Sequence, residues 1–376
     1  MTLIANLVAA AICLAFANGA NDNFKGVATL YGSGTLSYRR ALTWATVTTL
    51  LGSLTAVFLA ESLLKSFTGK GLVDAELVTS FGYAGAVAMG AGVTVLIATF
   101  IGMPISTTHS LVGALIGSGL AAGSEINIDK LGSGFVAPLL LSPVLAVALT
   151  ALIYPVFRRL RSRFGVTSET CLCVGNETVE VMPACCGTVS VQQTAIERAE
   201  QLSVQIGNTV TCERRYQGRM LGLEAGKLLD WLHGLSAGLV SFARGLNDTP
   251  KIAALLLLAP AVGQFGSAAL VGAAIAVGGI LFSRRVAETM SQKITTMNHG
   301  QGFTANLVTG LTVIGASRLG LPVSTTHVSC GALFGLGATT KQAQWKTIGT
   351  ILAAWLITLP MGALLGAVFY WLFRLA

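Results

Sequence analysis

Apolar residues fall in near-continuous blocks at 2–20, 41–60, 80–100, 131–157, 229–243, 266–282, 303–318 and 347–373. Blocks of this kind suit helices crossing a hydrocarbon core, which takes about 20 apolar residues per span. Four further apolar segments, 24–36, 109–122, 250–262 and 328–338, are too short or too interrupted for ordinary spans and are predicted to be broken or re-entrant. One long polar stretch, 158–227, divides the pattern. The predicted fold is an all-α polytopic membrane protein in three parts: a first transmembrane repeat at 1–157, a central insert at 158–227 and a second repeat at 228–376.

Composition agrees. Of 376 residues, 53% are hydrophobic and only 11% charged, against roughly 25% charged in an ordinary soluble domain. A soluble globular protein is excluded. The insert holds 16 of the 40 Lys, Arg, Asp and Glu residues, so the net charge of +8 reflects membrane topology and not a nucleic-acid partner. Arg158, Arg159, Arg161 and Arg163 directly follow an apolar block, which by the positive-inside tendency puts the insert in the cytoplasm and both termini outside a plasma or inner membrane. The first apolar block lacks a basic lead-in and runs into Asn18, Asn21 and Asp22, so it is not expected to be a removable signal peptide.

Comparing the chain with itself changes the picture most. Phe16-Ala17-Asn18-Gly19-Ala20-Asn21-Asp22-Asn23-Phe24-Lys25 returns as Phe242-Ala243-Arg244-Gly245-Leu246-Asn247-Asp248-Thr249-Pro250-Lys251. Gly102 to His109 returns as Gly320 to His327, and extension to Gly117 and Gly335 gives ten identities in sixteen positions. The charge bias of equivalent loops reverses between copies. Arg39 and Arg40 have uncharged counterparts near Gln264, whereas the acidic stretch from Glu61 to Glu76 matches a basic one around Arg284, Arg285 and Lys293. That reversal predicts inverted-topology repeats.

Each motif implies chemistry. An ionised carboxylate at the end of an apolar run costs at least ~2.5–3.5 kcal/mol to insert, so Asp22 and Asp248 need partners. They are candidate coupling-ion or proton sites, beside Asn21 and Asn247. Pro104 and Pro322 stop a helix, and Ser106, Thr107, Thr108 and Ser324, Thr325, Thr326 are expected to cap the next ones. Free N–H groups and the positive dipole end then face the break, which makes an anion site. Lys25 and Lys251 add positive charge, and His109 and His327 read as capping or packing residues. The substrate predicted from these residues is a small tetrahedral oxyanion.

These motifs identify the chain as resembling the inorganic phosphate transporter (PiT) family of sodium- or proton-coupled permeases. Its Gly-Ala-Asn-Asp-x-x-Asn signature is matched at Gly19 to Asp22 and Gly245 to Asp248, and its Pro-x-Ser-x-Thr-His signature at Pro104 to His109 and Pro322 to His327. The stretch from Glu288 to Phe303 resembles the family's lead-in to the second proline motif. The resemblance implies a homodimer and phosphate as substrate, with a central site lined by both motifs and H+ or Na+ as coupling ion. Sulfate is the alternative anion. The chain departs from the signature at Lys25 and Lys251, where the family has its second Asn. An ammonium beside the carboxylate would repel sodium, so transport is expected to be independent of it.

No enzyme is expected, because every candidate group is duplicated while a nucleophile–base set is single. An anion channel or a sensor is the remaining class. In the insert, Cys171, Cys173, Cys185, Cys186 and Cys212 lack paired Cys-x-x-Cys spacing, so metal binding is weakly indicated, and a cytoplasmic location predicts reduced thiols. Alternation predicts short strands at 178–182, 188–192 and 209–212, followed by a helix over 216–230.

Overall fold

The structure is a computed structural model that describes residues 2–181, 197–208 and 220–375. It divides into two compact units, Met1–Pro155 with His233–Ala376, and Val156–Leu232.

In the first unit the two repeats run through their elements in the same order. Helix α1 (Thr2–Asp22) leads through a 3-10 turn into the short α2 (Ala28–Gly32), then α3 (Tyr38–Leu59), α4 (Phe81–Phe100), α5 (Thr107–Ala121) and α6 (Ala137–Arg163). After the insert come α7 (Ala225–Ala253), 3-10 turns to Val262, α8 (Gly263–Phe282), α9 (His299–Arg318), α10 (Thr325–Thr340) and α11 (Trp345–Leu375). Pro143, Pro155, Pro250 and Pro360 lie inside long helices, where neighbouring helices can satisfy the backbone groups that a proline frees.

Of the eight expected spans, six among the described residues are long and apolar enough to cross a membrane: Leu3–Gly32, Tyr38–Leu59, Phe81–Phe100, Ile128–Arg163, Pro260–Phe282 and Trp345–Leu375. Blocks 229–243 and 303–318 lie inside α7 and α9, which are long but too polar. Arg244, Asn247, Asp248 and Lys251 interrupt the first, and Gln301 and Asn306 the second. Segment 24–36 extends the first span through α2 as a bent continuation and is not a separate span.

The predicted break is built identically twice. At the end of α4, Gly102 turns to φ +74°, the Met103 N–H reaches Ala98 O (2.9 Å) and the Gly102 N–H reaches Thr99 O (3.0 Å). At the end of α9, Gly320 has φ +70°, Leu321 N–H reaches Ala316 O (2.9 Å) and Gly320 N–H reaches Ser317 O (3.2 Å). This is the Schellman ending, and the left-handed residue it needs is glycine in both copies. Proline two residues later prevents resumption. Ser106 then caps α5 by accepting from His109 N–H (3.1 Å), and Ser324 caps α10 by accepting from His327 N–H (3.2 Å). Helices α4/α5 and α9/α10 are therefore hairpins with a broken tip.

Glycine sets which helices touch, and the contacts are reciprocal between repeats. A Cβ on Gly19 of α1 would lie 1.9 Å from Ile275 O of α8, and one on Gly245 of α7 would lie 2.1 Å from Thr49 O of α3. Likewise a Cβ on Gly117 of α5 would lie 1.8 Å from Ala363 O of α11, and one on Gly335 of α10 would lie 2.5 Å from Val147 O of α6. Close backbone approach through small residues is how helices associate without a hydrophobic drive from water. Large apolar side chains such as Phe58, Val144 and Leu356 point outward.

The second unit contains an antiparallel sheet of order β2-β1-β3, with β1 (Thr170–Val181), β2 (Glu197–Asn208) and β3 (Met220–Glu224). The expected strand 178–182 is the end of the longer β1. The segments 188–192 and 209–212 lie outside the described residues. The helix expected from 216 begins at Ala225, because Met220–Glu224 pairs with β1 and strand pairing overrides local preference. Cys171 and Cys173, two apart on β1, are both buried and share a face. Cys171 is a free thiol whereas Cys173 is disulfide-bonded, so the expectation of reduced thiols fails there; compartment rules speak of redox poise and not of which sulfurs the fold brings together. No group of His, Cys, Asp and Glu suited to a metal occurs among the described residues; Cys185, Cys186 and Cys212 lie outside them.

Candidate functional site

The two Asn-Asp motifs and the two hairpin tips meet in the middle of the first unit. Helix α1 runs alongside α4, so Asn21 at its end donates to Thr99 Oγ1 (3.0 Å) and Met103 O (3.0 Å) at the tip. In the second repeat Asn247 donates to Val323 O (3.1 Å) and accepts from Ser317 Oγ (3.2 Å). Each asparagine thus ties its own motif to its own hairpin.

Each lysine ties its motif to both hairpins. Lys25 Nζ shares its three N–H donors among Asp22, Asn21 Oδ1 (2.7 Å), Ile105 O (2.8 Å) in its own tip and Thr326 Oγ1 (2.7 Å) in the other. Lys251 Nζ donates to Asp248 Oδ1 (3.3 Å), to Val323 O (2.7 Å) in its own tip and to Thr108 Oγ1 (2.7 Å) in the other. Position i+3 on a helical turn puts an ammonium over its carboxylate. At 3% and 2% exposure these lysines do not snorkel to an interface.

The threonines expected as caps make different bonds. Thr107 donates to Asp22 Oδ2 (3.1 Å) and Thr325 to Asp248 Oδ2 (3.5 Å). Thr326 donates to Ile105 O (2.8 Å) and Thr108 to Val323 O (3.4 Å) across the tips. The reason is position: only Ser106 and Ser324 sit at N-cap, while residues one and two further already point into the centre. The first N–H groups of α5 and α10 have no intrahelical partner; the serine caps take those of His109 and His327. His109 and His327 meet ring to ring at 4.4 Å, and His327 stacks on Trp355 at 3.8 Å, which is packing.

Sequence reasoning missed the residue that unbalances the site. Arg244 occupies the position of Asn18 in the other copy and is 1% exposed. Its guanidinium donates to two neutral amide oxygens, Asn18 Oδ1 (3.3 Å) and Asn23 Oδ1 (3.0 Å), and its Nε has no hydrogen-bond partner. Among the described residues none of the ion pairs includes it. Asn18 Nδ2 lies within hydrogen-bond distance of Asp22 (3.0 Å), Thr107 (3.0 Å) and Asp248 (3.3 Å), so its two N–H groups can hold both carboxylates on one amide. Three cations, Lys25, Lys251 and Arg244, therefore face two carboxylates, Asp22 and Asp248. The signal was visible, since Arg244 stands inside the repeated motif where its copy has Asn18.

Membrane-length helices around two broken hairpins, with buried charge at their tips, define a multi-pass membrane protein with a central polar site. Comparison with known proteins is consistent along the whole chain. A model of the phosphate transporter family matches residues 18–366, and the chain belongs to that family. It is 30% identical to a probable low-affinity inorganic phosphate transporter of Rhizobium meliloti, over 98% of this chain and 96% of that one. It is 27% identical to a putative phosphate permease of Pyrococcus furiosus, over 95% and 93% of the two chains. It is also 27% identical to an inorganic phosphate transporter of Arabidopsis thaliana chloroplasts, over 94% of this chain and 69% of that one. A solved structure described as the sodium-dependent phosphate transporter shares the fold, with TM-score 0.75 and 22% identity over the full length of both chains.

Proposed function

We propose that the protein is a permease that moves inorganic phosphate by alternating access between two inverted repeats, without sodium. The observation that carries this reading is the surplus of one cation in a buried charge cluster whose aspartates and lysines reach the first turns of α5 and α10. A lone charge in a low-dielectric interior costs several kcal/mol even after relaxation, and an anion removes that cost. A single surplus charge matches the monoanion dihydrogen phosphate, whose hydroxyls can also donate to Asp22 and Asp248. Sulfate, a dianion with no proton, would leave the site negative and offer the carboxylates nothing.

The assigned roles follow. Ser106, Thr107, Thr108, Ser324, Thr325 and Thr326, with their helix N–H groups, receive the anion, as do Lys25, Lys251, Asn21 and Asn247. Asp22 and Asp248 accept the proton that phosphate brings. Bound ammonium groups hold the carboxylate positions that a coupling sodium would need, which supports transport coupled to H+.

Helix directions support the inversion. Helix α5 runs parallel to α11, since Gly113 meets Leu359 and Ser118 meets Gly366. Helix α10 runs parallel to α6, since Gly331 meets Pro143 and Gly335 meets Val147. A chain that reverses between α5 and α6, as consecutive membrane segments do, brings the two hairpins in from opposite faces. Both chain ends then lie on one face and α6 runs toward the other, which is the cytoplasmic one by the positive-inside tendency of the arginines that follow Pro155 in sequence.

Competition of labelled phosphate uptake by unlabelled anions tests the substrate. Phosphate is expected to displace the label at concentrations at least tenfold below those of sulfate; the reverse order would make the protein a sulfate permease.

A further inference from the structure

One buried polar cluster lies beyond the central site and takes no part in it. One helical turn past Lys25, Thr29 Oγ1 donates to Asn306 Oδ1 (3.0 Å) and hydrogen-bonds with His233 Nε2 (3.1 Å). His233 Nδ1 lies 3.2 Å from Thr35 Oγ1, and Asn306 Nδ2 donates to Ser236 Oγ (3.4 Å). Thr29, His233, Ser236 and Asn306 are all buried, between α2, α7 and α9.

The repeats give this cluster its own control. At the matching positions the other copy has Leu255 for Thr29, Leu7 for His233, Ala10 for Ser236 and Ala88 for Asn306. All four belong to one apolar core packed between α1, α4 and the turn after α7. The same helices in the same arrangement are thus filled by purely apolar side chains in one copy. Packing does not require polar groups here, and burying four of them carries a desolvation cost that an apolar set avoids. The polar set continues the hydrogen-bonding groups of the central site past Lys25 toward the turn after α2 at Thr35. Its twin closes the equivalent route past Lys251 with leucine and alanine.

We infer that Thr29, His233, Ser236 and Asn306 line one half of the oxyanion's path, between the central site and the face on which α6 ends, while Leu7, Ala10, Ala88 and Leu255 seal the other half in this conformation. Neutral groups suit such a path, because hydroxyl, amide and imidazole donors solvate a moving oxyanion without the tight hold of an ammonium. The inference rests on the transporter reading of the central site.

Replacing each group by its twin tests it. His233→Leu and Asn306→Ala are expected to cut labelled phosphate uptake into proteoliposomes at least tenfold, while phosphate binding to the purified protein in detergent stays within about twofold. Uptake within twofold of the parent in both folded variants overturns the path. Should either variant fail to fold, Ser236→Cys and Ala10→Cys are compared with an impermeant methanethiosulfonate, each from the face its half would open to. Ser236→Cys is expected to react, more slowly with phosphate present, and Ala10→Cys to stay inert; an inert Ser236→Cys, or equal reaction of both, overturns the inference. The thiol readout does not depend on flux, so a parent that moves no phosphate defeats the transport reading and not the path.

Discussion

At the scale of residues, the site carries one unmatched charge. Two lysine–aspartate pairs would make a neutral centre; Arg244 breaks that balance, and on the proposed reading it is the side chain that calls for an anion. Arg244→Asn, which restores the twin residue, is expected to weaken phosphate binding about 10- to 100-fold, the ~1.5–3 kcal/mol of a hydrogen bond to a charged group. Equilibrium binding of labelled phosphate reads this directly, and unchanged affinity would show the guanidinium to be structural. Asp22→Asn and Asp248→Asn are each expected to abolish most uptake while the protein still elutes as a folded species in detergent, because the amide keeps the shape and loses the proton acceptor. Much of this was legible in the sequence. The duplicated motifs named Asn21, Asp22, Lys25 and their copies, and spacing alone placed each lysine over its aspartate. The cross-tip bonds of Thr108 to Lys251 and Thr326 to Lys25 were not legible, because they join residues more than a hundred positions apart.

At the scale of elements, two hairpins with glycine endings and serine caps hold these residues in place. The sequence announced the break through proline and the caps through the two Ser-Thr-Thr runs; the break stands where expected, and within each run only the serine caps. It could not announce that α5 packs on α11 and α10 on α6, since reciprocal contact depends on how repeats meet and not on any local pattern. Glycine records it only in retrospect. Gly117→Ala would place a methyl 1.8 Å from Ala363 O, a backbone atom that cannot swing aside. We expect a loss of about 1–3 kcal/mol, typical of overpacking, seen as a lower unfolding temperature in detergent. Gly315→Ala on α9 faces open space and is expected to leave stability unchanged or raise it slightly through helix propensity. Equal effects of the two would show that close approach at Gly117 is not what holds α5.

At the scale of the whole molecule, hydropathy gave the membrane class, but α7 and α9 show its limit: the helices that carry Asn247, Asp248, Lys251 and Ser317 are too polar to read as spans. The repeat that duplicates the Asn-Asp and Ser-Thr-Thr motifs also differs between its copies, most consequentially in Arg244 against Asn18 and in the polar cluster against its apolar twin. On the proposed reading, lysines take sodium's place beside both aspartates. Uptake of labelled phosphate by proteoliposomes in sodium-free medium, with the external side more acidic, reads that substitution without an intermediate step. We expect saturable uptake that collapses with the pH gradient and does not change on adding sodium; uptake that requires sodium and saturates in it would show that the lysines do not replace the ion.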